Sequence, residues 1–554
     1  MKKKLILLLL LLLTACRTIE STELPLIEPT EFPPTPEPTE ALPAAEQWWN
    51  DTVFYEVFVR SFYDSDGDGV GDISGLIEKL DYLNDGDPNT DDDLGITGIW
   101  LMPITESPSY HGYDVVDYYT IDQEYGTIEE FQLLIDQAHQ RGIRVIVDLV
   151  LNHTSDHHIW FTEAKEKESA YRDWYLWEVE KPSYRGPWGQ DVWHKMRDEY
   201  YYGIFWRGMP DLNLQNPEVT EELFNITRFW LEEMQVDGFR LDAIKHLVEN
   251  GPTQENTNET HAWLEGFYTF YKEVDPNAFA VGEAWTFTSQ VLNYTGDEVD
   301  IAFAFDLAEA ILKTAHGPLA IPVIKEMTQV VESFPAGQYG TFLANHDQNR
   351  VMSQLRGDVI QAKIAATILL TSPGVPFIYY GEELGMSGVK PDEDIRRPMQ
   401  WNDVNISAGM STGEPWRLPA IDYNEKNLAN QVDDPESLFN HYRRLINMRN
   451  EHQALRTGEW TLIDTGSHRL YAYMRHSEEE VFIILVNVHP SDMSADQYQL
   501  TLESGPLSGT VSAISLLGLG NPSAPEINDK GGFSNYIPFE TLPSQSFAVI
   551  QLVP

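Results

Sequence analysis

Three carboxylates stand out because each one follows directly on a short apolar run with strand-like composition. Asp242 lies in GFRLDAIKH, Glu283 in VGEAW and Asp347 in ANHD. Hydrolysis of a glycosidic bond needs two carboxyl groups, since one attacks the sugar or activates water while the other protonates the leaving oxygen. A single carboxylate of this kind is more often structural, but three of them at strand ends favour catalysis.

Arg240 stands two residues before Asp242. Residues i and i+2 of a strand share one face, so both side chains are expected on the same side of the sheet. The guanidinium would keep Asp242 ionised and oriented. Glu283 has the opposite requirement, because a proton donor needs a raised pKa.

The elements that would position these groups alternate along the chain, with apolar runs separated in most cases by amphipathic stretches. Eight such runs with crossover helices predict a (β/α)8 barrel, whose active site lies at the carboxyl ends of its strands. A doubly wound sheet is the competing fold. The predicted strands are 53–62, 96–104, 144–152, 238–244, 278–285, 300–306, 340–347 and 374–383.

The domain plan follows from changes in this alternation. Residues 48–455 are expected to form the barrel, with an inserted subdomain at about 154–208 where the third connection is too long for a normal crossover. Residues 456–554 alternate at strand length between turns, which predicts a C-terminal antiparallel β-sandwich domain.

The first residues have the composition of a targeting segment. Lys2 to Lys4 precede a leucine-rich stretch that is too short to span a bilayer, and LTAC then ends in Cys16, the single cysteine of the chain. This indicates a lipoprotein signal peptide over 1–16, a lipid anchor on Cys16 and export to a bacterial cell envelope. The Pro-, Thr- and Glu-rich residues 17–47 are expected to be a disordered tether.

Composition limits the partners. The chain has 554 residues and a formal charge of −50, from 37 basic and 87 acidic side chains. Such an acidic chain is a poor ligand for nucleic acid. No feature of the sequence implies a protein partner, and the lipid anchor predicts contact with a membrane.

The stretch YDSDGDGVGDISG (63–75) resembles most of a calcium loop. Asp64, Asp66, Asp68 and Asp72 supply carboxylates, and Val70 can offer its carbonyl oxygen. The last position of such a loop should be a bidentate Glu and is a glycine here, and the loop follows a predicted strand rather than a helix. A metal loop is favoured over a solvated acidic turn.

The chain from Trp48 onward resembles the α-amylase family of glycoside hydrolases. DLVLNH, GFRLDAIKH, GEAW and FLANHD match the four signature regions of that family in order, and MPDLN (209–213) matches the fifth. The resemblance implies retention of configuration, with Asp242 as nucleophile, Glu283 as general acid and base, and Asp347 as the group that stabilises the transition state.

The resemblance also implies further ligands. The family binds an α-glucan, and the side chains expected to contact it here are His111, Tyr113, His153, Arg240, Lys245, His246 and His346. A branch of the family holds structural Ca²⁺ or Mg²⁺ in a loop like 63–75. A second Ca²⁺ would lie between barrel and inserted domain, on Asn152, Asp211 and the carbonyl of His246.

The sequence is compatible with two alternative specificities for the glycosidic bond. Lys245 and His246 resemble the pair with which α-amylases hold the sugar beyond the cut, and His111 stands where exo-acting oligo-1,6-glucosidases carry an Asp. Both favour endo-cleavage of α-1,4 bonds. MPDLN instead resembles neopullulanase-like members, which cut some α-1,6 bonds or transfer sugars. A non-catalytic glucan-binding lipoprotein and a solute-binding lipoprotein are weaker alternatives.

Overall fold

The computed structural model describes residues 47–554. The expected signal peptide, the lipid anchor at Cys16 and all but the last residue of the tether lie outside this range, so they stay predictions. Within it, no helix is both long and apolar enough to cross a membrane.

Eight parallel strands close into a barrel, in which each strand pairs with its neighbours in chain order and β8 pairs with β1. The predicted barrel is confirmed, with one local correction. The first predicted run is strand only at its start, because Val59–Phe62 forms a short buried helix. The strands are β1 (Phe54–Val57), β2 (Gly98–Leu101), β3 (Arg144–Leu149), β4 (Gly238–Leu241), β5 (Phe279–Gly282), β6 (Ile301–Phe303), β7 (Tyr339–Thr341) and β8 (Val375–Tyr379).

Amphipathic helices pack around the barrel. The helix between β2 and β3 begins with a capping box, in which the Thr127 hydroxyl and the Glu130 carboxylate accept each other's backbone N–H, and it ends before Gly142 at φ 73°. Only short helical turns, Thr288–Val291 and Leu292–Tyr294, link β5 to β6. The main helices are α1 (Ile73–Glu78), α2 (Ile128–Gln140), α3 (Pro217–Arg228), α4 (Asn258–Val274), α5 (Phe305–His316), α6 (Ile321–Ser333), α7 (Val359–Thr371) and α8 (Leu438–Glu451).

The amino-terminal end of the barrel is closed by aromatic side chains. Phe54 stacks on Phe377 with ring centroids 4.6 Å apart, and Phe279, at the start of β5, packs on Trp49 at 5.2 Å. Trp48 donates its indole N–H to the carbonyl of Asn277, 2.9 Å away. The chain therefore enters the fold at the end of the barrel opposite the carboxyl ends of the strands.

The inserted subdomain between β3 and α3 is a small antiparallel sheet with its own core. Its three strands are Trp177–Glu178, Trp193–Met196 and Glu199–Tyr202, with the last in the middle. An isolated β-bridge between His153 and Asp211 joins the start and the end of the insertion. The subdomain is thereby tied to the end of β3, beside the barrel mouth.

The C-terminal domain is antiparallel, as predicted. Its main sheet contains β9 (Glu459–Leu462), β10 (Leu470–His476), β11 (Val481–Asn487), β12 (Ser512–Gly518) and β13 (Ser546–Val553), in the order β9-β10-β11-β13-β12. Two smaller strand pairs share a core with one face of this sheet. Alternate residues on the other face, such as Tyr473 and Ile484, join the barrel core.

Candidate active site

Arg240 is the centre of the polar cluster at the barrel mouth, and it is fully buried. Its Nη1 atom lies 2.8 Å from Asp242 Oδ1 and 2.8 Å from Asp148 Oδ1. Its Nη2 atom lies 2.7 Å from Glu283 Oε2. One guanidinium thus holds carboxylates from β3 and from the ends of β4 and β5, which fixes their relative positions.

Glu283 has the environment of a proton donor. Burial raises its pKa to about 7, against the opposing charge of Arg240. Its Oε2 atom also accepts the backbone N–H of Ala243 at 3.2 Å. Ala243 reaches this geometry in the left-handed region, at φ 47°, which is strained for a residue with a Cβ. The backbone turn after β4 is therefore shaped around this carboxyl group.

Asp347 has the environment of a permanent anion. Burial raises its pKa, but the charges of His346 and Arg396 lower it more, to about 2. Arg396 Nη2 lies 2.8 Å from Asp347 Oδ1. Because burial lowers the pKa of His346 itself, Arg396 is the lasting positive charge. Asp242 differs, since burial raises its pKa while Arg240 opposes the rise.

An aromatic wall stands beside these carboxylates. The ring of Tyr113 stacks on that of His346 at 5.5 Å, and its hydroxyl lies 3.0 Å from Asp148 Oδ2. His111 accepts the backbone N–H of Tyr113 through Nδ1, and His153 Nε2 lies 3.1 Å from the carbonyl of Tyr113. His153 is buried within this scaffold, so its predicted contact with sugar stays a prediction.

A cleft of about 380 Å³ opens above the carboxylates. Lys245 reaches into it and donates to Glu255 at 2.8 Å and to the carbonyl of Trp285 at 3.0 Å. His246 Nδ1 is bonded to the carbonyl of Gln254, and its buried Nε2 atom has no hydrogen-bond partner among the described residues. The lining comprises Trp188, Phe205, Asp242, Ala243, Lys245, His246, Glu283, Trp285, Asp347 and Lys390.

Several side chains at the carboxylate cluster and the cleft were not predicted from the sequence. Asp148 lies in the quoted motif DLVLNH and pairs in register with Arg240, so alternation along β3 could have found it. Arg396 and Lys390 follow β8 in an irregular loop that no motif marks. Trp188 and Trp285 are 60% and 49% exposed at the cleft. Trp285 ends the quoted motif GEAW, whereas only its residue type marks Trp188.

Comparison with known proteins identifies the family of this chain. The family model described as "Alpha amylase, catalytic domain" matches residues 56–458. The chain belongs to the α-amylase family. Alpha-amylase 3 of Dictyoglomus thermophilum is 41% identical over 453 residues, covering 80% of this chain and 86% of that protein. An oligo-1,6-glucosidase of Bacillus cereus is 32% identical, covering 83% and 97%.

Solved structures of the α-amylase family share the fold. The crystal structure of an alpha-amylase from H. orenii superimposes with a TM-score of 0.78 at 40% identity, covering 90% of this chain and 99% of that one. The chain is therefore an α-amylase-family glycosidase, and its carboxylate cluster occupies the end of the barrel where barrel enzymes carry their active sites.

Calcium is common in the α-amylase family, and the loop after β1 has donors that fit it. Carboxylate oxygens of Asp64, Asp66 and Asp72 come within 4.8 Å of one another. Three carboxylates on one loop are the hard oxygen donors that Ca²⁺ and Mg²⁺ prefer. Asp68 lies outside this cluster, and its Oδ1 atom accepts the backbone N–H of Val70 at 2.8 Å. Its predicted role as a ligand, and that of the Val70 carbonyl, stay predictions.

The residues predicted for the second metal also offer oxygen atoms that fit a hard cation. Asn152 Oδ1 and Asp211 Oδ2 are buried, and neither has a hydrogen-bond partner among the described residues. Burial, and next the charge of Glu249, raises the pKa of Asp211 well above its usual range. Unmet buried oxygens are costly unless a cation or a donor satisfies them, so the donor set suits a hard cation.

Proposed function

We propose that the chain is an endo-acting, retaining α-amylase that cleaves α-1,4 bonds of starch-like glucans. The observation that carries the proposal is the single guanidinium of Arg240, which holds Asp242 and Glu283 side by side under the cleft. Support for the endo mode comes from Lys245, His246 and the exposed Trp188, which can hold sugar rings on the leaving side of the bond.

Asp242 is the proposed nucleophile. Arg240 binds its Oδ1 atom, which leaves Oδ2 for attack on the anomeric carbon. Glu283 gives its proton to the departing oxygen in the same step, as its raised pKa allows. A covalent glucosyl ester on Asp242 results, and the ionised Glu283 then takes a proton from the water that hydrolyses it.

Asp347 and its neighbours are proposed to hold the sugar on the other side of the cut. Its carboxylate is kept ionised by Arg396, so it can accept hydrogen bonds from ring hydroxyls and oppose the positive charge that develops on the anomeric centre. Tyr113, whose ring stacks on His346 beside Asp347, is proposed to lie beneath the same sugar.

A product time course tests the proposal. Purified enzyme is expected to release mixed maltooligosaccharides from soluble starch at once and to leave pullulan largely intact, by thin-layer chromatography. Maltotriose and cyclodextrin complete the set. An exo-acting enzyme spares the closed ring, and attack on pullulan distinguishes the two candidates that can open it. Release of glucose alone from starch at early times would contradict endo-cleavage.

A neopullulanase-like or α-1,6-acting hydrolase is the second candidate. The motif MPDLN and the 32% identical oligo-1,6-glucosidase favour it. Panose or maltose from pullulan, together with opening of cyclodextrin, would move the assignment there. Larger sugars formed from maltotriose would indicate transfer.

We further propose that the loop 63–75 holds a structural Ca²⁺ or Mg²⁺ and that Asn152, Asp211 and the His246 carbonyl hold a Ca²⁺. The proposed loop ligands are Asp64, Asp66, Asp68, Asp72 and the Val70 carbonyl. Chelation with EDTA is expected to lower the melting temperature, since an ion at about 100 times its Kd adds about 2.7 kcal/mol to the free energy of unfolding. The measurement is thermal unfolding with and without added ions.

Two variants distinguish metal binding by the loop 63–75 from a general effect of removing one negative charge. Asp66→Asn should reduce the stabilisation by added Ca²⁺. Asp91→Asn, which changes an exposed carboxylate outside the loop 63–75, should keep it. If EDTA leaves the melting temperature of the wild type unchanged and no metal co-purifies, the metal proposal fails.

A further inference from the structure

Glu56 is a buried carboxyl group at the active site that none of the roles above uses. It lies on β1 with 2% of its surface exposed, and in register with Trp100 of β2 and Tyr379 of β8. Its Oε1 atom lies 2.5 Å from Nδ1 of His346. The contact joins β1 to the loop after β7, next to Asp347.

The other ring nitrogen of His346 shows where the imidazole proton sits. Nε2 lies 2.6 Å from the hydroxyl oxygen of Tyr113 and 3.4 Å from Asp347 Oδ2. Asp347 is the anion held by Arg396, so a bare Nε2 would point its lone pair at a carboxylate. A protonated Nε2 donates instead, and this direction is the favourable one.

The hydroxyl of Tyr113 agrees with that direction. It lies 3.0 Å from Asp148 Oδ2, and Arg240 also binds this carboxylate. A hydroxyl donates one proton, so Tyr113 can donate to Asp148 if it accepts from His346. The three groups then form one ordered chain of hydrogen bonds, from His346 through Tyr113 to Asp148.

A proton on Nε2 leaves two states for the pair of Glu56 and His346. The imidazole is neutral and Nδ1 accepts from a protonated Glu56, or the imidazolium faces an ionised Glu56. Either way the pair holds one shared proton and no net charge. Burial raises the pKa of Glu56 and lowers that of His346, which favours the neutral state. The charged or titratable groups facing the pair are Arg240, Asp148, Asp347, Tyr113, Tyr379, Arg396 and Lys390.

We propose that Glu56 is a positioning residue, which shares a proton with Nδ1 of His346 and so keeps at Nε2 the N–H that holds the hydroxyl of Tyr113 in place beside Asp347. The role of Tyr113 beneath the sugar rests on the proposed function. When the shared proton is lost at high pH, the remaining imidazole proton moves to Nδ1, where it faces the ionised Glu56. Nε2 then becomes an acceptor beside Asp347, and the hydrogen bond that it donated to Tyr113 is lost.

Two substitutions of similar size test this role. In Glu56→Gln the amide N–H₂ can still donate to Nδ1, so kcat is expected to stay within about threefold of the wild type. In Glu56→Leu no donor remains, and kcat is expected to fall by about 10- to 100-fold with KM little changed, the usual loss when an orienting partner is removed.

The pH profile distinguishes positioning from packing. Ionisation of Glu283 also affects the alkaline side, so the profile of kcat/KM is measured in a Glu283→Gln background with an aryl α-maltotrioside, whose leaving group departs without a proton. With Glu56 unchanged in this background, kcat/KM should fall at high pH. The additional substitution Glu56→Gln should abolish that fall in kcat/KM. An unchanged fall in Glu56→Gln overturns the proposal, as does unaltered kcat in Glu56→Leu.

The proposal stays testable even if Glu56→Leu fails to fold, because the pH profile of kcat/KM for Glu56→Gln is enough to support or refute it. It is also independent of bond preference. An enzyme that cuts pullulan rather than starch refutes the endo-α-1,4 proposal, and the Glu56 profiles are then recorded with an aryl glycoside that this enzyme does cleave.

Discussion

Replacement of Asp242 by Asn is expected to lower kcat/KM on starch-derived oligosaccharides by about 10⁴- to 10⁶-fold, the scale seen when a covalent nucleophile is removed. The amide has nearly the shape of the carboxylate, so the fold should survive. It cannot form the glucosyl ester, because its nitrogen and oxygen are far weaker nucleophiles than an ionised oxygen. Arg240 would keep its bonds to Asp148 and Glu283.

The measurement is initial rate against substrate concentration, with the melting temperature as a check on folding. Asp136→Asn is the matched control, since Asp136 is exposed on α2 away from the cleft, and it should retain wild-type rates. A kcat/KM for Asp242→Asn within about tenfold of the wild type would remove Asp242 from the mechanism.

The Glu283→Gln variant is expected to lose about 10²- to 10⁴-fold in kcat/KM on glucans, the usual contribution of a general acid. The loss should be much smaller for an aryl maltotrioside, because that leaving group needs no proton. The wild type should also lose activity as pH rises through about 7, since burial raises the pKa of Glu283 to about 7 and the active form is the protonated one.

Both effects are checked by the pH dependence of kcat/KM on the two substrates. The Glu129→Gln variant, changed at an exposed position of α2, should follow the wild type. An equal loss on both substrates in Glu283→Gln would show that this carboxyl group does not serve as the acid.

Spacing and order were enough to predict the barrel and the central carboxylates. Arg240 and Asp242 share a strand face, and Glu283 ends the next strand, so the topology of parallel strands brings them together. The same reasoning stopped at Val59–Phe62, because a short apolar run does not distinguish a strand from one helical turn.

Contacts that depend on irregular segments were out of reach of such reasoning. Arg396 comes to Asp347 from a loop after β8, and Trp188 comes from the inserted subdomain. Neither segment has a hydrophobic period that fixes where its side chains go. Glu56 sits on a predicted strand, yet its meeting with His346 depends on the closure of β1 against β8, which brings the first and last strands together.

The start of the described chain and the cleft lie at opposite ends of the barrel. Trp48 and Trp49 fasten the start of the described chain to the aromatic plug around Phe279, while the cleft opens at the opposite pole. Attachment through the leading segment would therefore act at the end of the barrel that carries no part of the cleft. A long polymer could then approach from open solution, and a fusion or immobilisation at the amino terminus should leave polymer digestion unhindered.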